Sequence, residues 1–174
     1  MIQNNLAVIN DWFKKQSGLF TQLIDPLISK GLRVAIVDYP LHSNIGDLVI
    51  AAKTNQYLTL RESEIVFLGT GVNFDFSDLA KSQPDIIVLL GGGNFGDLWK
   101  HHQILRNKLI TTFQDTPIVQ FPQSIYFGDL DFLKETQKTF DASAKNFHLI
   151  CRDLASFNFA KHHLSCSVYL SPDT

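Results

Sequence analysis

The sequence is poor in the features that mark several protein classes. It has only two cysteines, Cys151 and Cys166, too few for a secreted disulfide framework. Each falls in an apolar, strand-like run, where a buried free thiol is the expected state. No stretch approaches the roughly 18 apolar residues that span a bilayer. The first residues, with Asn4, Asn5, Asn10 and Asp11 among apolar ones, lack the charged start and unbroken apolar core of a signal peptide. These absences lead us to expect a cytoplasmic protein without a transmembrane segment. Charge of one sign is also missing: 15 Lys and Arg face 17 Asp and Glu, a formal charge of −2. Such a chain has no field to hold a polyphosphate backbone, so nucleic acid is not an expected partner. Low-complexity tracts and long linkers are lacking too, and no G-x-x-x-x-G-K-[ST] loop occurs.

What is present is a core. Apolar residues make up 45% of the 174 positions, and a chain of this length buries roughly 70% of its unfolded surface without a metal or disulfide staple. Short apolar runs alternate with longer amphipathic stretches. Strands are predicted at 33–38, 65–68, 85–90, 117–121, 147–151 and 167–170. Most are apolar throughout rather than alternating, the pattern of strands covered on both faces of a parallel sheet. Helices are predicted at 47–60, 97–113, 130–140 and 153–163, with a turn or two at 74–81. Two more, 6–15 and 19–30, precede the first strand, the second kinked or split by Pro26 and closed by Gly31. The order implies right-handed βαβ crossovers and an α/β, doubly wound, mainly parallel, Rossmann-like sheet over 32–174, with residues 1–31 a helical segment packed on it. The sequence stops at Ser171-Pro172-Asp173-Thr174 just after a strand, as at a domain boundary, so a second, carboxyl-terminal domain is expected to be absent.

In such sheets ligands bind beyond the carboxyl ends of the strands. Those junctions hold Tyr39–Asp47, Gly91–Asp97, Pro122–Tyr126 and Arg152-Asp153. Six of the ten glycines lie between Gly69 and Gly96, so peptide N–H groups can gather at one cleft suited to an anion. Gly-Asp-Leu recurs at 46–48, 96–98 and 128–130, each time opening a predicted helix. Asp129 reads as a helix cap. Asp47 and Asp97 have two readings, because each belongs to a longer Asn-x-Gly-Asp-Leu match with Asn44 or Asn94. They either cap helices or bind sugar hydroxyls, one of them as general base. His42 is an acid–base candidate or a solvated loop residue. Arg152 suits a carboxylate or phosphate, or a structural bridge. Gly91–Gly96 satisfies G-x-G-x-x-G, but it follows the third strand and no acid ends the next one, against a dinucleotide site. Phe95 and Trp99 flank Asp97 either as packing residues or as a sugar-stacking face, and Tyr126 and Phe127 share these alternatives. Trp12 and Phe13 read as core or interface anchors. The pairs His101-His102 and His162-His163 diverge on helices and read as surface. Asp129-Leu130-Asp131 reads as a cap, and no metal is expected.

The loops His42–Asp47, Gly91–Asp97, Gln120–Ser124, Cys151–Asp153 with Ser156, and Ser171–Asp173, in this order and spacing, resemble the polysaccharide pyruvyl transferase family. The resemblance runs from about Leu32 to the end. It implies transfer of pyruvyl from phosphoenolpyruvate to two hydroxyls of a sugar, forming a ketal, in exopolysaccharide or cell-surface polysaccharide synthesis, with no cofactor beyond that donor. It implies the amino-terminal half of a two-domain, GT-B-type transferase acting on a saccharide or lipid-linked saccharide. On the family pattern Asp47, His42 and Asp97 are catalytic candidates, with Asp47 the better base. Asn44, Gly46, Gly92, Gly93, Asn94, Gln123, Ser124 and Arg152 are binding candidates, with Arg152 against the donor. Two other readings compete: a glycosyltransferase of similar layout using a nucleotide sugar, and a non-catalytic saccharide-binding module. Apolar surface at the expected domain junction makes a homo-oligomer a further expectation.

Overall fold

In the computed structural model, residues 2–41 and 43–172 are described. The elements are α1 (Ile2–Ile24), β1 (Arg33–Tyr39), α2 (Ile45–Leu60), β2 (Glu64–Thr70), α3 (Phe76–Lys81), β3 (Ile86–Leu89) and β4 (Gly92–Gly96). There follow α4 (Lys100–Thr112), β5 (Ile118–Tyr126), α5 (Leu130–Ser143), a 3₁₀ turn (Ala144–Asn146), β6 (Phe147–Cys151), α6 (Leu154–His163) and β7 (Ser167–Leu170).

Seven strands form one sheet in the order β2-β1-β3-β5-β6-β7, with β4 paired to β5, and the pairings among the described residues are parallel. Alternate residues serve opposite faces. Ala35, Val37, Ile87 and Leu89 join Leu79, Leu109 and Phe140 from α3, α4 and α5. Val34, Ile36, Ile86 and Val88 join Ile24, Ala51 and Leu58 from α1 and α2. The apolar strands are thus covered twice, which is the doubly wound, Rossmann-like arrangement expected from their composition. Phe20 binds α1 to the sheet through edge-on contacts with Tyr57 and Phe121, centroids 5.5 and 5.7 Å away.

Three elements differ from the sequence expectation. The two amino-terminal helices are one continuous helix, α1, which stops before Pro26, where the missing N–H and the restriction on Asp25 disfavour another turn. The strand expected to end at Phe121 continues to Tyr126, because Pro122 sits at a register shift between β5 and β6, where no ladder bond is required of it. The glycine-rich segment is extended as β4, so α4 starts at Lys100 and Asp97 opens no helix. Gly96, at φ 109°, packs so closely on β5 that a Cβ would lie 1.8 Å from the Tyr126 carbonyl oxygen.

Candidate functional site

The strand order reverses between β1 and β3, since β2 lies on one side of β1 and β3 on the other. Loops leaving those strands diverge there and open a crevice at the carboxyl edge. An open cleft of about 770 Å³ occupies this position, lined among others by Asp38, Asn44, Asp47, Gly93, Trp99 and His102. Register shifts near the carboxyl end of β1 and within β4 and β5 border the same edge.

Asn44 and Asp47 enter on α2. Asn44 is the N-cap itself, its Oδ1 accepting from the Gly46 amide at 2.9 Å, so the Asn of this motif does have a capping job, and Gly46 spends its amide on it. Asp47 lies in the first turn and lines the cleft. A Cβ on Gly92 would sit 3.8 Å from Asp47 Oδ1, and one on Gly93 would sit 3.5 Å from Arg152 Nη2. Asp47, Gly92, Gly93 and Arg152 therefore converge on one rim.

Behind that rim, Arg152 Nε donates to Ser124 Oγ at 2.8 Å, and Ser124 Oγ donates to Asp153 Oδ2 at 2.8 Å. Asp153 also caps α6 by accepting from the Ser156 amide at 2.8 Å. Burial pushes its carboxyl up, but the Ser156 amide, the Ser124 and Ser156 hydroxyls and the Arg152 charge outweigh that and hold it below the ordinary carboxylate value. The guanidinium is thus braced at the ends of β5 and β6 by a carboxylate that stays ionised.

The second Asn-x-Gly-Asp-Leu copy does different work. Asn94 lies in β4 and caps nothing. Its Nδ2 donates to Asp38 Oδ2 at 2.9 Å, and its Oδ1 accepts from Arg106 Nη2 and, at 3.0 Å, from Gln123 Nε2. Gln123 is completely buried, with its amide between Leu90 O and Asn94, so it supports the cleft floor from below instead of reaching into the cleft. Asp97 does not line the cleft. Its Oδ2 accepts from the amides of Gly128 and Asp129 at 2.7 and 2.5 Å and closes the turn into α5. Asp129 caps that helix, as expected. His42 lies outside the described residues.

Of the aromatic candidates, Phe95 is core, Trp99 is 57% exposed at the cleft, and Tyr126 is exposed while Phe127 packs on the core. Trp12 is exposed rather than core. His101, His162 and His163 are on the surface, but His102 is not: its ring is half-buried and its Nδ1 lies 2.7 Å from Asp38 Oδ1. Both cysteines are free.

Sequence reasoning missed a buried polar layer. Arg106 is fully buried in α4, stacked over Phe95 with its guanidinium carbon 4.8 Å from the ring centroid. Its Nε donates to Gln120 Oε1 at 2.6 Å and its Nη1 to the Asn94 carbonyl at 3.2 Å. Burial pushes the guanidinium down to about 10, while Asp38, 4.0 Å away, acts in the opposite sense. Asp38 is itself unusual. It has φ 62° at the register shift in β1, and such a bulge re-aims a side chain, here towards α4. The signal was present in α4, where His102, Gln103 and Arg106 fall on the same helical stripe as Leu109 and Ile110.

Among the described residues no helix is long and apolar enough to cross a membrane, and no group of three or more His, Cys, Asp or Glu could hold a metal ion.

Residues 44–174 match the family model for polysaccharide pyruvyl transferase. EpsO of Bacillus subtilis (strain 168), which carries a pyruvyl transferase name, is 35% identical over 162 residues, covering 92% of this chain and 48% of its own. Pyruvyl transferase 1 of Schizosaccharomyces pombe is 31% identical over 153 residues, 81% of this chain and 37% of its own. General stress protein 30 of Bacillus subtilis is 27% identical over 157 residues, 86% of this chain and 46% of its own. The chain spans about half the length of these relatives or less. With three quarters of its length matched by the family model, the chain belongs to the polysaccharide pyruvyl transferase family.

Proposed function

We propose that this chain is the acceptor-binding half of a transferase that moves a pyruvyl group from phosphoenolpyruvate to two hydroxyls of a saccharide, in the cytoplasm, during cell-surface polysaccharide synthesis. The observation that carries this reading is the convergence of Asp47, Gly92 and Gly93 on the cleft at the switch point, with Arg152 Nη2 3.5 Å from where a Gly93 Cβ would stand. The family match supports the reaction class.

The cleft lining divides by chemistry. Asn44, Asp47 and Asn94 with exposed Trp99 form a set suited to sugar hydroxyls and a sugar face. Arg152, braced by Ser124, stands beyond Gly93 as the partner for a carboxylate or phosphate. A ketal forms when the donor methylene carbon gains a proton, two sugar oxygens bond to its central carbon, and phosphate leaves. Asp47 takes the proton of the first hydroxyl and passes it to the methylene carbon. The rest of a longer protein, in a GT-B-type arrangement, or a second copy would close the cleft over exposed Leu41 and Ile45.

Calorimetric titration with phosphoenolpyruvate, a nucleotide sugar and candidate saccharides tests this reading. Heat with phosphoenolpyruvate and saccharide, and phosphate release with ketal formation when both are present, are the expected results. Heat with a nucleotide sugar and none with phosphoenolpyruvate would replace it with glycosyl transfer.

A further inference from the structure

Asp38 and His102 meet across the cleft wall in a geometry that the rim residues do not explain. Asp38 is 7% exposed, lies at the end of β1, and accepts from Asn94 Nδ2 at 2.9 Å while Arg106 Nη2 approaches to 4.0 Å. Asp38 thus meets an amide donor on one oxygen, with a buried guanidinium beyond it. A carboxylate has no proton to offer, so the 2.7 Å contact between Asp38 Oδ1 and His102 Nδ1 requires the imidazole to donate from Nδ1. The neutral ring then carries a bare Nε2. His102 lines the same cleft as Asp47 and keeps 20% of its side-chain surface exposed. An imidazole oriented by a buried carboxylate, with its other nitrogen on a substrate cleft, is the arrangement of a general base.

We propose that His102 is a catalytic base for one acceptor hydroxyl and that Asp38 positions it and fixes its tautomer. This deepens the pyruvyl-transfer reading and rests on it for the identity of the reaction. The second sugar O–H bond breaks, its proton goes to Nε2, and its electron pair forms the bond to the central carbon of the donor. The bond from that carbon to the phosphate oxygen breaks with its pair, and the imidazolium returns the proton to the departing phosphate. Between those events Asp38 balances the imidazolium charge. The charged or titratable groups around His102 are Asp38 from β1, Arg106 and His101 from α4, whose ring lies 4.3 Å away, and Asp47 from α2 across the cleft.

Two measurements decide it. The first needs no turnover: in nitrogen-15-labelled chain at about pH 8.5, some two units above the ordinary imidazole value, ring correlations of His102 are expected to show the Nδ1–H tautomer. Asp38→Asn is expected to weaken or reverse that preference. The Nε2–H tautomer in the unaltered chain overturns the proposal. The second measures ketal formation. His102→Gln is expected to lower kcat about 100-fold or more with KM little changed. In His102→Ala, imidazole but not pyrazole, a ring of the same shape and much weaker basicity, is expected to restore turnover. Restoration by both rings, or an unchanged kcat in His102→Gln, removes His102 from the chemistry. An unaltered chain that neither binds phosphoenolpyruvate nor makes ketal refutes the pyruvyl-transfer reading instead, and the tautomer measurement still judges the dyad.

Discussion

Gly96 and Tyr126 are in backbone contact: a Cβ on the glycine would stand 1.8 Å from the tyrosine carbonyl oxygen. With φ 109° at the same residue, both space and conformation demand glycine. Gly96→Ala is expected to cost about 1–3 kcal/mol or more, because β4 must move off β5. Urea unfolding reads the loss. A midpoint equal to that of the unaltered chain would show that the strand pair adapts freely.

Arg106 holds the acceptors of Gln120 and Asn94 together in a space without solvent. Arg106→Met leaves those oxygens and Asp38 without their cation, so a loss of about 3–5 kcal/mol is expected. Arg106→Lys should recover only part of it, since an ammonium cannot reproduce the planar fork. A Met variant within about 1 kcal/mol of the parent would mean that the layer is held by its amides alone.

Ser124 is the hydroxyl between Arg152 and Asp153. Ser124→Ala removes both bonds and the hydroxyl that fixes the Arg152 Nε direction. Binding of phosphoenolpyruvate is expected to weaken about 3- to 10-fold, the equivalent of one net hydrogen bond, while the urea midpoint moves little. Unchanged calorimetric affinity would detach Ser124 from donor binding.

Asp153 gives a pH signature of known sign. Its folded carboxyl titrates below the ordinary value, burial opposing and the Ser156 amide, the hydroxyl bonds and Arg152 prevailing. Its stabilisation is therefore complete above the unfolded value of about 3.9 and is lost as pH falls through the folded one. The stability difference between the parent and Asp153→Asn should stay constant from about pH 7 to 5 and shrink below about pH 4. A difference that already shrinks near neutrality would contradict the lowered carboxyl.

Burial, with Asp153 adding to it, pushes the Cys151 thiol up to about 12, and burial, with Cys151 adding, does the same for Cys166. Neither thiol presents a thiolate at about pH 8, so alkylation by iodoacetamide should be slow in the native protein and fast in urea. Rapid labelling of the native chain at Cys151 would show that β6 opens readily.

Local chemistry made much of the fold readable. The apolar runs at 34–37 and 86–89 announce strands covered on both sides, and the capping residue Asp129 announces α5. The glycine run misled because a loop that cradles an anion and a strand that crowds its neighbour both need residues without a Cβ. Periodicity does not separate the two. The Asn-x-Gly-Asp-Leu repeat misled for a related reason: Asn44 caps α2, whereas half-buried Asn94 is held between Asp38, Arg106 and Gln123, and identical letters carry no record of what surrounds them.

The amino-acid sequence by itself determined the alternation of strands and helices, the burial of the sheet on both faces and the loops that gather at its carboxyl edge. Those follow from hydrophobic pattern, caps and glycine, all of which act within a few residues. Only the tertiary structure decided that His102 turns inward to Asp38, that Arg106 is buried beneath the cleft, and that Asp97 faces away from it. Each of these depends on partners from 12 to 64 positions distant in the chain, and a charge or imidazole is surface or site according to what the fold brings against it.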